Sequence, residues 1–244
     1  MSQGAYTMSD LIRIVKILRS PEGCPWDRVQ THESIRYNLI EESYEVVDAI
    51  DSKDEQALKE ELGDVLLQVV FHSVLAEEDE EFSFTEVVND LCEKLVYRHP
   101  HVFADEKADQ PEEALKRWDE AKQKEKNQKS VSDTLDAVPK CFPALMRAQK
   151  VGKRANKGRS ERECADQYLE DFEKNLDILR QNIGNPEEED STRALGNLLF
   201  SSCNIARLLQ VEAEDVLQKT TDAFIAQVKL EERGISPVRD STVD

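Results

Sequence analysis

Glycine and proline are scarce in this chain, at 8 each among 244 residues. Few positions therefore break regular structure, and apolar residues recur at spacings of three and four along almost the whole length. That pattern excludes a β-rich fold and predicts an all-α one. Cysteines are five, Cys24, Cys92, Cys141, Cys164 and Cys203, odd in number and never in a CxxC pair. A disulfide framework and a cysteine zinc site are both excluded, and reduced thiols are expected. Long apolar runs are missing too. The longest, VLLQVVFHSVLA, is interrupted by Gln68 and His72 and is too short to span a bilayer. The opening MSQGAYTMSDLIRIV has no basic start followed by an apolar stretch. The expectation is a soluble, cytoplasmic protein with no membrane partner.

Positive charge is also in deficit, with 32 Lys and Arg against 51 Asp and Glu, a net charge of −19. Such a field repels a polyanion unless the cations are segregated. Only KVGKRANKGR, residues 150 to 159, gathers them, and it reads as a solvated link, so nucleic acid is not expected as a partner. An acidic protein can still take a small phosphate-bearing ligand when divalent cations bridge carboxylate to phosphate.

The periodicity predicts helices at about 9 to 19, 33 to 51, 54 to 78, 84 to 97 and 111 to 127, then at 140 to 154, 161 to 182, 187 to 210 and 213 to 233. The stretch KQKEKNQKSVSDTL, residues 122 to 135, is polar and aperiodic. It marks a link between two copies of one unit, 1–128 and 140–244, joined through 129–139. Each copy sets a charged helix before a polar turn and a more apolar helix. Two such hairpins pack as a four-helix bundle, within one chain or across a dimer.

The copies echo each other most clearly in LGDVLLQVVF, residues 62 to 71, and LGNLLFSSCN, which begins 133 residues later. Asp64 becomes Asn197 and Glu61 becomes Ala194. In the first copy Glu41, Glu42 and Glu45 precede the turn, and Glu61 and Asp64 follow it. Residues three apart share a helix side, so Glu42 pairs with Glu45 and Glu61 with Asp64. An antiparallel hairpin lets the two pairs face each other. Four converging carboxylates repel unless a cation sits between them, and hard oxygen donors suit Mg²⁺ or Mn²⁺. Acidic faces on an acidic protein are the plainer explanation. Against it, the helix from Leu62 to Leu75 is apolar all round and so expected to be buried, where an unpaired carboxylate is costly.

Other constellations fail. NKGRS lacks the spacing of a phosphate loop, RHPHVF reads as a structural turn around its proline, and no nucleophile triad can be assembled from four histidines.

GCPWDRVQTHESIRYNLIEESYEVVDAI, then ELGDVLLQVVFHSVLA, KLVYRHPHVFAD, ALKRWDEAK and PALMRAQKVGKRA closely resemble the MazG family of nucleoside triphosphate pyrophosphohydrolases. The resemblance implies tandem MazG-like helical bundle repeats, the four-helix core completed by homodimerisation. It also implies Mg²⁺-dependent hydrolysis of nucleoside triphosphates to monophosphate and pyrophosphate. On the family signature EExxE…ExxD, Glu42, Glu45, Glu61 and Asp64 would be metal ligands, with Glu41 or Glu45 as general base. Nucleotide contacts would fall at Asn38, Lys94, Arg98 and Trp118. Trp26 and Asp27 of the PWD stretch would either close the pocket or cap the second helix. In the second copy LEDFE, residues 169 to 173, stands for EExxE and ALGN for ExxD, so that copy is expected to be inactive scaffold. Two alternatives stay open: a catalytically inactive helical dimer acting as a binding or regulatory module, and a narrower phosphoribosyl-ATP pyrophosphohydrolase.

Overall fold

A computed structural model describes residues 5–104, 107–182 and 189–233. Among these residues every regular element is a helix and there is no strand, and no helix is long and apolar enough to cross a membrane. The chain divides into two compact units, Met1–Lys122 and Gln123–Asp244.

In the first unit the helices are α1 (Met8–Arg19), α2 (Pro25–Arg28), α3 (His32–Ser52), α4 (Glu55–Glu78), α5 (Phe84–Arg98), α6 (Pro100–Phe103) and α7 (Pro111–Glu125), the last crossing the boundary between units. Starts are set by side-chain caps. Thr7, Thr31 and Ser83 each accept from the backbone three residues on, and the side chains of Asp10, Ser34 and Glu86 return the bond. Between α3 and α4 only Lys53 and Asp54 intervene. Lys53 takes the left-handed conformation at φ 57°, and Asp54 accepts from the amides of Gln56 and Ala57. This two-residue link folds α3 back along α4.

The core lies where α1 crosses that hairpin. Val15, Ile35, Val70, Phe71, Val74 and Leu75 are buried, with Leu11, Ile12, Leu66, Leu67 and Phe84 packed around them. Burial of α4 is therefore confined to its second half, from Gln68 to Ala76, whereas Leu62 is 53% exposed. The expectation that α4 is buried all along from Leu62 is corrected here: α1 and Phe84 cover only the end that meets the core. Arg19 closes this end. Its guanidinium pairs with both oxygens of Glu78, donates to the carbonyls of Asp27 and Gln30, and lies 5.3 Å from the centre of the Phe71 ring. Gly23 is obligatory in the same turn, because a Cβ there would stand 2.2 Å from the Ile17 carbonyl oxygen.

The second unit contains α8 (Val131–Asp136), α9 (Ala144–Ala155), α10 (Glu161–Asn182), α11 (Glu189–Leu208) and α12 (Ala213–Glu232). Residues 187 and 188, expected to open α11, lie outside the described residues. The segment 129–139, expected as a plain link, carries α8, capped by Ser130 and packed on α9. Its core is more polar than the first. Asn204 is fully buried and Gln149 nearly so. The Gln149 amide donates to the Val211 carbonyl and accepts from the Ala213 amide, both at 2.9 Å, so one buried side chain fixes the start of α12.

Candidate active site

The tight turn at Lys53 and Asp54 brings the carboxylates of α3 opposite those of α4. One carboxylate oxygen from each of Glu42, Glu45 and Glu61 can be chosen so that all three lie within 4.8 Å of one another. Asp64, half-buried one turn on from Glu61, lies close enough for its charge to act on both Glu42 and Glu61. Burial pushes the Glu42 carboxyl above the usual carboxylate range, and Asp64, Glu45 and Glu41 push it the same way, while a hydrogen bond from Gln68 opposes them. Partial burial likewise raises Glu61, followed by the charge of Glu45, a hydrogen bond shared with Glu45, and the charges of Asp64 and Glu60. Every charge raising these two groups is another carboxylate. A carboxyl–carboxylate hydrogen bond needs a proton held between them, and a divalent cation would hold the same oxygens together with all of them ionised. Only oxygen donors face the cluster's centre, which fits Mg²⁺ or Mn²⁺ and not a softer metal. Glu41 sits beside the cluster on the exposed side of α3, and Asn38 is half-buried one turn before Glu42.

The other expected residues divide by position. Lys94 lines a hollow of about 490 Å³ on α5 with Phe82, Glu86, Val87, Asp90 and Leu91. Arg98 is buried and its guanidinium carbon lies 5.3 Å from the centre of the Trp118 ring, with the Lys122 ammonium 4.6 Å from that centre. Residues 79 to 83 connect α4 to α5, so the two run antiparallel. At 1.5 Å per residue, Asp64 and Arg98 each lie about 21 Å along their helices from that connection, which puts Arg98 and Trp118 level with the carboxylates. Trp26 and Asp27 lie elsewhere. Arg19 holds their turn at the Glu78 end of α4, where His32 stacks on His72, and His72 is about 12 Å along α4 from Asp64. Trp26, 57% exposed, is not brought to the carboxylates within this unit.

Three features escaped sequence reasoning. Gln68 bonds Glu42, and its position four residues after Asp64 on the same helix side was the available signal. His32 and His72 meet Nδ1 to Nδ1 at 2.8 Å, with rings 8° from parallel. They are forty residues apart, and no spacing rule links them. His99 and His101 line a hollow with Trp118, in a segment read only as a turn.

The second hairpin re-registers the comparison between copies. Asn197 donates to the Asn175 carbonyl oxygen at 3.1 Å, and Asn175 donates to the Asp171 carbonyl at 2.6 Å. Asn175 and Asn197 stand 133 residues after Glu42 and Asp64, and by the same step Ile178 and Ala194 replace Glu45 and Glu61. Glu170 and Glu173, set against the metal ligands in the sequence, are exposed on α10. All four ligand positions have lost their charge, not two.

A family model described as the MazG nucleotide pyrophosphohydrolase domain matches residues 30–103. The chain is 40% identical to the nucleoside triphosphate pyrophosphohydrolase/pyrophosphatase MazG of Thermotoga maritima, over 94% of this chain and 87% of that protein. It is also 40% identical to the nucleoside triphosphate pyrophosphohydrolase of Escherichia coli K12, over 91% of this chain and 86% of that one. The crystal structure of a mazG-related protein from Thermotoga maritima aligns at 31% identity and a TM-score of 0.41, covering 48% of this chain and 99% of that chain. The chain belongs to the MazG nucleotide pyrophosphohydrolase family.

Proposed function

We propose that this protein is a Mg²⁺-dependent nucleoside triphosphate pyrophosphohydrolase that works in the cytoplasm on nucleotide pools, with its one active site in the first repeat. The observation that carries the reading is the convergence of Glu42, Glu45 and Glu61 to within 4.8 Å, with Asp64 beside them, in a chain whose relatives are named for this reaction. When bound there, Mg²⁺ supplies charge neutralisation for the triphosphate and Lewis acidity. Glu42, Glu45, Glu61 and Asp64 hold it. Glu41 or Glu45 takes the proton from the attacking water, which leads to cleavage between the α and β phosphorus atoms. Asn38, Lys94 and Arg98 steady the polyphosphate, and Trp118 covers the base or ribose. Trp26 and Asp27 join the site only if a second copy or a bound nucleotide brings their turn across.

A homodimer completes the bundle. Tyr37, Ile40, Tyr44, Val47 and Ile50 form an exposed apolar stripe on α3, at helical spacing and beside the carboxylates, and a second hairpin laid against it gives four helices. The alternative of an inactive binding module leaves the complete carboxylate set without a purpose.

The test is pyrophosphate release from a panel of ribo- and deoxyribonucleoside triphosphates during a Mg²⁺ titration. Release should require the cation, stop with EDTA, fall at least 100-fold in Glu42→Ala, and persist in Glu170→Ala and Glu173→Ala. Activity that survives the first change and disappears with the others would refute the assignment.

A further inference from the structure

The hollow between α6 and α7 encloses about 350 Å³ and is lined by His99, His101, Ala114, Leu115 and Trp118. Ligand sites for small molecules start near 300 Å³, so a nucleobase with part of its ribose is the scale of occupant that fits. One wall is the Trp118 ring, with the Arg98 and Lys122 cations near it. Such a ring offers a base an apolar stacking surface.

The two histidines give this hollow a polar edge, and their surroundings fix its sense. His99 Nδ1 lies 2.6 Å from the Leu95 carbonyl oxygen. A carbonyl only accepts, so Nδ1 carries the hydrogen and the Nε2 of the neutral ring is left as an acceptor. His101 Nδ1 is buried with no hydrogen-bond partner. A buried N–H without an acceptor is costlier than an idle lone pair, which places the proton of the neutral ring on Nε2 as a donor. The rings, 5.6 Å apart between centroids, therefore offer one acceptor and one donor side by side.

We infer that this hollow reads the base, with His99 accepting from and His101 donating to adjacent atoms on the base edge. Adenine and cytosine present an amino donor beside a ring-nitrogen acceptor. Hypoxanthine and uracil present a keto acceptor beside an N–H donor, the same pair in reverse order. A fixed edge takes one order and leaves its own groups unpaired against the other. His99 and His101 are thus specificity residues. This inference rests on the hydrolysis proposed above for its kinetic readout, and on nothing but binding for its second.

The kinetic arm measures kcat/KM for ATP against ITP and CTP against UTP. Wild type should discriminate about tenfold or more within each pair, in the same sense for both. His101→Phe, which keeps a ring and loses the donor, should bring both ratios towards one. Wild-type ratios near one, opposite senses in the two pairs, or ratios unchanged in His101→Phe overturn the inference. The binding arm uses Trp26→Phe, which leaves Trp118 as the single tryptophan, and follows its fluorescence with AMP and IMP. Discrimination there without hydrolysis of any triphosphate sinks the proposed function and keeps the pocket. Hydrolysis without discrimination does the reverse.

Discussion

The α3/α4 and α10/α11 hairpins are one scaffold with opposite interiors. At equivalent positions the first sets Glu42 against Asp64, whose charges raise each other's cost, and the second sets Asn175 against Asn197, which share a hydrogen bond. The first arrangement is worse for stability in the absence of a cation, because like charges in a half-buried cleft repel. The second is satisfied by itself. Selection for stability alone produces the amide pair, so keeping four carboxylates in one repeat marks where a ligand is held. The second repeat shows what the scaffold becomes once that demand is lifted.

Converting the first hairpin into the second is the severest test of this contrast. The double change Glu42→Asn, Asp64→Asn should reduce pyrophosphate release at least 100-fold, since half the cation's ligands are gone. The same protein should melt a few degrees higher in EDTA, as removing the repulsion is worth on the order of 1 kcal/mol. Both effects must appear together. An inactive variant that also melts lower would mean the carboxylates serve the fold, and the contrast between repeats would lose its meaning.

The reverse exchange has a smaller expected effect and the opposite sign. Asn197→Asp places a carboxylate against the Asn175 carbonyl oxygen at a site with no cation-binding partners. Repulsion and desolvation there should cost about 1–3 kcal/mol. Thermal melting followed by circular dichroism should show the loss, and pyrophosphate release below the melting range should be unaltered. Melting that Mg²⁺ restores to the wild-type temperature would show that the second repeat retains cation-binding capacity after all.

Much of this was legible in the sequence where the signal is local. The helical periods located nine long helices, and the i, i+3 spacing put Glu42 with Glu45 and Glu61 with Asp64. Thr31 and Asp54, the residue types that cap helices, stand where α3 and α4 begin. The short helices α2, α6 and α8 span only four to six residues, too few to display a period. Registration of the second repeat slipped for a different reason. Matching LEDFE to EESYE rewarded glutamates, whereas the partner of Asn197 is an uncharged residue 22 positions away whose role is visible only as a contact. The burial expected for all of α4 failed similarly, since an apolar surface says that something should cover it and not that this unit does.

The smallest effect concerns the histidine pair, which also separates the repeats. Stepping 133 residues from His32 and His72 reaches Ala165 and Ile205, so only the first unit has a titrating contact between these helices. Burial and the neighbouring His32 hold the His72 imidazole below its ordinary value. The native state therefore refuses a proton that the unfolded chain accepts. Stability is at its full value above the unfolded pKa of about 6.5, and is lost progressively as pH falls below it towards the lower folded value. His72→Phe keeps a ring against the core and removes the titration. Both tryptophans, Trp26 and Trp118, lie in the first unit, so their fluorescence during melting reports that unit. Between pH 7.5 and 5.5 the wild-type transition should drop by a few degrees more than that of His72→Phe, corresponding to roughly 1 kcal/mol. Equal drops in the two proteins would assign the acid sensitivity of the first repeat to its carboxylates, whose raised values work in the opposite direction, and would leave the histidine contact with a packing role only.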